Sequence, residues 1–256
     1  MKAGEIAGLL EKFSPCKYAC DWDNVGMHVG RKDNEINRIL VTVDVDDAAI
    51  SKAVEIGAGM IVSHHPLIFH GLQKVNEDDF IGKRVLTLLE NRINCYCMHT
   101  NFDCIGMADA AAELIGLKDT EVLEEILDGE GIGRIGTLEK PVTVKALCET
   151  VKKVYGLEKV VLYGDENAIV SKAAICPGAG KDDIIPALEK GAGVIITGDV
   201  TYHYGIDSFA RGINVIDAGH YGIEHIFIDI IGDYLEKVLT GVDVVRMEVS
   251  NPQKFI

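Results

Sequence analysis

Short runs of apolar and β-branched residues alternate along the chain with stretches whose apolar positions recur at helical spacing. Residues 39–45, 60–63, 93–98, 173–176, 194–197 and 213–217 read as strands, since short runs rich in β-branched residues favour the extended chain. Residues 47–56, 81–91, 182–190 and 221–238 read as helices between them, and residues 1–13 as a short amphipathic helix. Strands that alternate with helices predict an α/β fold with mainly parallel sheets.

Comparing the chain with itself adds a level of organisation. AVEIGAGMIVS, from Ala53, aligns without gaps on ALEKGAGVIIT, from Ala187. Ala53, Glu55, Gly57, Ala58, Gly59 and Ile61 recur as Ala187, Glu189, Gly191, Ala192, Gly193 and Ile195. Asp46-Asp47 begins the first helix as Asp182-Asp183 begins the second, where acidic side chains can cap free amides. Glycine is common after any helix, but the shared flanks point to duplication of a strand, helix, Gly-rich turn, strand unit. Two similar lobes are therefore expected, 1–127 and 128–256, with residues 123–137 read as the connection between them.

In open α/β sheets ligands gather beyond the carboxyl ends of the strands. Three such ends are rich in ligand-type side chains: Ser63-His64-His65-Pro66, His99-Thr100-Asn101-Phe102-Asp103 and Gly219-His220-Tyr221-Gly222-Ile223-Glu224-His225. Pro66 ends the strand and holds His65 extended, so a turn can bring both rings to one side. His220 and Glu224 share one helix face if a helix starts near Tyr221. Three imidazoles and two carboxylates exceed what one tetrahedral ion takes from a protein, so His64, His65, Asp103, His220 and Glu224 suggest two divalent metals. Mixed nitrogen and oxygen donors suit Zn, Fe, Mn or Ni without choosing among them.

The neighbours carry weaker signals. His99 and His203 either orient ligands or move protons, or are structural histidines; Thr100 and Asn101 fit a supporting role. Asp199 stands in the second copy near the position of the first histidine pair and is a candidate sixth ligand. The segment 21–26, DWDNVG, is either a loop over the site or a turn anchored by the only tryptophan. Arg134, within GIGRIG, is a candidate contact for an anionic substrate, although that run lacks a Walker lysine.

Composition removes several alternatives. A formal charge of -15 opposes binding to a nucleic-acid backbone, so nucleic acid is not expected as a partner. The seven cysteines form no CxxC pair and read as reduced thiols of a cytoplasmic protein. No apolar run reaches the roughly 18 to 20 residues that a membrane span needs.

DWDNVG, SHHP, MHTNFD, GIGRIG, CPGAG, TGDVTYH and AGHYGIEH together resemble the Nif-three family (NGG-interacting factor three), often labelled type-two homologues of GTP cyclohydrolase I. The resemblance spans almost the whole chain in family order. It implies two similar α/β lobes with a dinuclear metal cleft, ligated by His64, His65, Asp103, His220 and Glu224. It also implies a homohexamer of the short form, without the large inserted domain of some members. The expected activity is metal-dependent hydrolysis of a nucleotide or related small molecule, with His99 or His203 as proton carrier. The alternative is a non-catalytic, metal-stabilised scaffold that recruits partners.

Overall fold

Strands alternate with helices throughout the computed structural model, which describes Met1–Lys254, and every residue of Met60–Ser63, Asn94–Cys97 and Val194–Thr197 is buried. In chain order the elements begin with α1 (Ala3–Phe13), β1 (Gly26–Val29), β2 (Arg38–Thr42), α2 (Asp47–Glu55), β3 (Met60–Ser63), α3 (Phe80–Glu90), β4 (Asn94–Cys97) and α4 (Thr100–Phe102). A π-helical turn, Asp103–Met107, leads to α5 (Ala108–Leu114), β5 (Leu117–Leu127), β6 (Glu130–Thr143), α6 (Val144–Val154), β7 (Val161–Tyr163) and β8 (Ile169–Ile175). Then come α7 (Ile184–Glu189), β9 (Val194–Thr197), α8 (Tyr202–Ala210), β10 (Asn214–Asp217), α9 (His220–Glu224), α10 (Ile226–Val238) and β11 (Asp243–Arg246). They form two units, Met1–Phe102 with Phe227–Ser250, and Asp103–Ile226 with the segment from Asn251.

The first unit holds a sheet of order β1-β4-β3-β2-β11, parallel except for the β1–β4 pair. The second holds β5-β6-β8-β9-β10-β7, parallel from β8 to β10 and antiparallel at its other pairs. β1-β4-β3-β2 therefore recurs as β7-β10-β9-β8 with the same directions, which is the duplication read from the sequence. Register is kept as well: Ile39 pairs with Met60 in one copy and Ala173 with Val194 in the other. Gly57 and Gly191 end the repeated helices at φ 64° and 85°, the left-handed conformation glycine adopts without strain. A Cβ on Gly30 would collide with the Asn94 amide, and one on Gly164 with that of Asn214, so both copies seat the antiparallel strand against an asparagine.

Three local expectations need correction. Residues 123–137, read as the connection between the copies, lie within the second unit as part of the β5–β6 hairpin, closed by Asp128 and Gly129 at φ 54° and 82°. Two positive φ angles define the type I′ turn that matches strand twist, and Asp-Gly is a favoured pair for it. The two helix starts also differ. Asp46 caps α2 by accepting from the Ala49 amide at 2.7 Å, whereas Asp183 makes no such cap. Its carboxylate instead accepts from the Cys176 thiol at 3.3 Å. Finally, the last long helix is divided into α9 and α10 at His225, and α9 starts at His220.

Candidate metal centre

In the first unit, the ladder between β2 and β3 continues past both strands, with the His64 amide donating to Thr42 O (3.2 Å) and that of His65 to Val43 O (2.9 Å). The Ser63 hydroxyl donates to His65 O at 2.9 Å, closing the turn that brings two adjacent side chains together. Their ring centroids are 5.0 Å apart. His99, past the end of β4, lies 5.3 Å from the His64 ring and 5.6 Å from that of His65.

Each of these rings is fixed through Nδ1. His64 donates to Met98 O at 2.8 Å, His65 to Asp44 Oδ1 at 2.7 Å and His99 to Asp23 Oδ1 at 2.9 Å. A carbonyl or an ionised carboxylate can only accept, so Nδ1 carries the proton, and whenever the ring is neutral Nε2 presents the lone pair. His64, His65 and His99 offer ligand atoms within 4.8 Å of one another, a group able to hold a metal ion. Asp23 also accepts from the Thr100 amide (3.0 Å) and hydroxyl (2.5 Å). Burial alone would raise its pKa, but the hydrogen bond and charge of His99, with the two Thr100 donors, hold it down at about 2.

The second unit repeats the device with different residues. His220 Nδ1 faces Asp199 Oδ2 at 2.9 Å, and its Nε2 lies 3.1 Å from Glu224 Oε2 one helical turn on. Asp217 ties the flanking loops by accepting from the Val200 and Gly219 amides, both at 2.9 Å. Two glycines make room. A Cβ on Gly178 would stand 2.5 Å from Glu224 Oε1, and one on Gly198 would stand 2.5 Å from the His220 amide nitrogen. Asp103 opens the π-helical turn, a distortion frequent at functional sites. Its carboxylate and that of Glu224 have oxygens within 4.8 Å of each other. Glu224 is only 2% exposed; two ionised carboxylates this close repel, and a divalent cation offsets that repulsion. The donor chemistry of both units thus suits a divalent metal.

Asp199 serves in the described contacts as the oxygen that orients His220. Arg134 departs from expectation outright. It is 3% exposed and its five N–H groups go to Asp109 Oδ1 and Oδ2, Gly131 O, Gly133 O and Cys104 O at 2.5 to 3.0 Å. A guanidinium already saturated by protein acceptors has nothing left for an anionic substrate, so it ties the hairpin to the 104–109 segment. His203 lies exposed on the first turn of α8, in a pocket of about 220 Å³ with Lys181, Asp182, Tyr204, Asp207 and Arg211. Among the described residues it joins no group of ligand atoms. Asn101 donates to Ser14 O (2.8 Å) and Oγ (3.0 Å), a buried tie to the end of α1. Sequence reasoning missed Asp23 and Asp44 as orienting groups. Asp44 stands just beyond β2, where the strand-end rule that found the histidines applies equally.

The family model of Duf34/NIF3 (NGG1p interacting factor 3) matches residues 1–252. The chain belongs to the Duf34/NIF3 family. Among Duf34/NIF3 relatives, a Lactococcus lactis protein named GTP cyclohydrolase 1 type 2 homolog is 37% identical over 98% of both chains. One of the same name from Clostridium perfringens is 34% identical over the full length of both. The structure of the Staphylococcus aureus protein SA1388 matches with a TM-score of 0.90 at 25% identity, covering 100% of this chain and 99% of that one. The mixed α/β, two-sheet fold is thus the fold of Duf34/NIF3 structures. No helix among the described residues is long and apolar enough to cross a membrane.

Proposed function

We propose that this Duf34/NIF3 protein binds two divalent metal ions through His64, His65, Asp103, His220 and Glu224 and is a metal-dependent hydrolase of a nucleotide or related small molecule. The observation that carries the reading is the fixing of Nδ1 in His64, His65 and His220 by Met98 O, Asp44 and Asp199. Imidazoles locked in the Nε2 lone-pair tautomer are prepared to ligate a metal. A nucleotide substrate draws support from the GTP cyclohydrolase 1 type 2 homolog name of the relatives. Bound metal would supply Lewis acidity, acidifying water and offsetting charge that develops on the attacked group.

His99, oriented by Asp23, is assigned the proton transfer, with His203 as the second candidate. We assign the protein to the cytoplasm, where its seven free cysteines would stay reduced, and to a hexameric assembly. The test loads metal-free protein with Zn, Fe, Mn or Ni and follows turnover over a nucleotide panel, beside His64→Ala, Glu224→Ala, His99→Ala and His203→Ala. Elemental analysis of gently purified protein supplies the metal count. A wild-type rate no higher than that of the ligand variants removes the hydrolase reading.

A second reading, a metal-stabilised scaffold, is favoured by α8, where Tyr202, Ile206 and Phe209 are exposed at i, i+4 and i+7. Under it, metal removal lowers stability or dissociates the assembly, and partner capture rather than turnover follows the loss.

A further inference from the structure

Trp22 is the only tryptophan of the chain and stands 60% exposed, beside Phe69 at 41%. Large aromatic rings are mostly withdrawn from water, yet here two of them share one place on the first unit. Their centroids are 5.9 Å apart and their planes are tilted by 45°, which leaves ring surface open to a third aromatic group. Both also reach the histidine cluster. Trp22 lies edge-on to His99 at 6.0 Å, and Phe69 to His99 at 6.5 Å.

The two loops that carry these rings are bound to each other. The Asn24 side chain donates to Ile68 O at 2.5 Å; the Ile68 amide donates to His28 Nδ1 at 3.3 Å; His28 Nε2 donates to Asn24 O at 2.9 Å. This relay requires a neutral His28, and burial lowers the pKa of that ring accordingly. From the other side, Asp23 clamps the loop to His99 and Thr100, and the Cys20 amide donates to the Thr100 hydroxyl at 2.9 Å. Trp22 is thus held on both flanks, and a preorganised aromatic surface spends little ordering entropy on a ligand.

We propose that Trp22 and Phe69 form a stacking platform for a planar heteroaromatic ring, which presents the substrate to His99 and its neighbouring histidines. The platform names the substrate class of the hydrolase reading and rests on that reading for the reaction, while ring binding itself stands on Trp22 and Phe69.

The lone tryptophan is a built-in reporter. Guanosine 5′-monophosphate and nicotinamide mononucleotide are titrated against its fluorescence, with ribose 5-phosphate as the ring-free control, on metal-loaded and metal-free protein. Calorimetry then measures the same probes on Phe69→Ala, Phe69→Tyr and Trp22→Leu, each first checked for native circular dichroism. At least one ring-bearing probe should quench the emission saturably while ribose 5-phosphate does not. Base stacking removed by truncation costs roughly 5- to 150-fold in Kd, so Phe69→Ala and Trp22→Leu should weaken binding within that range and Phe69→Tyr should restore it. The platform is overturned if neither ring-bearing probe quenches, if ribose 5-phosphate binds as tightly as they do, or if folded Phe69→Ala keeps the wild-type Kd. Metal content is measured separately on the same samples, so loss of the metal reading and loss of the platform appear in different data.

Discussion

The ends of β3 and β9 share one register, yet the first carries His64 and His65 where the second carries Gly198 and Asp199. Past β4 and β10 the contrast continues, with His99 and Asp103 after one and His220 and Glu224 after the other. The backbone dictates where a side chain is presented, and the residue placed there decides whether it ligates, orients or makes room. In the first unit Asp44 orients His65 from the end of β2; in the second, the corresponding stretch after β8 bears Gly178, whose missing side chain admits Glu224. One scaffold therefore reaches a metal-ready imidazole by two routes.

Removing ligands tests this contrast most severely. His64→Ala in one unit and Glu224→Ala in the other should each weaken metal binding by more than about 100-fold, beyond the range typical of groups that only orient a ligand. Metal retained after dialysis is the measurement, and full retention in either variant would take that unit out of the metal reading. Replacing the orienting oxygens is gentler. Asp44→Asn and Asp199→Asn should each cost about 10- to 100-fold in metal affinity, and unequal losses would show that the two routes are not equivalent.

Room can be tested apart from ligation. Gly178→Ala places a side chain at φ 74° and against Glu224, and should cost about 2 to 3 kcal/mol in chemical denaturation. Gly57→Ala, also at positive φ but facing open space, should cost about 1 kcal/mol. Similar losses in the two would mean that the close approach to Glu224 carries no energy.

The smallest effect sharpens a contrast between carboxylates. Asp23 is held at about 2, whereas burial, reinforced by Glu124 and opposed by the Cys176 hydrogen bond, pushes Asp183 up to about 7. A depressed pKa stabilises the fold above the ordinary value of about 4, and that contribution is lost as pH falls towards 2. A raised one acts the other way: the contribution of Asp183 is complete below about pH 4, declines as pH rises to about 7, and is flat beyond. Asp183→Asn should therefore reduce the fall in Tm between about pH 5 and about pH 8, and Asp23→Asn should leave that window unchanged. An unaltered slope in Asp183→Asn would show that its carboxyl is not the group titrating there.

Local patterns made much of this legible. Strands such as Met60–Ser63 and Val194–Thr197 are apolar because both faces are covered, and the GAG turns recur because a left-handed residue must follow each helix. The β5–β6 hairpin also had its signal in Asp128-Gly129. Arg134 was misread because a glycine-rich run fixes backbone freedom and says nothing of where a long side chain finds its acceptors.

Chain order alone therefore determined the α/β class, the duplicated strand-helix-strand unit and the strand ends at which imidazoles and carboxylates stand, since these follow from periodicity within a few neighbouring residues. Only tertiary structure decided that Asp23 reaches His99 from 76 positions away, that Asp199 orients His220 and that Arg134 is spent on its own chain. Hydrogen bonds of that kind depend on distances of about 3 Å in space, and separation along a chain places no bound on which acceptor a side chain meets.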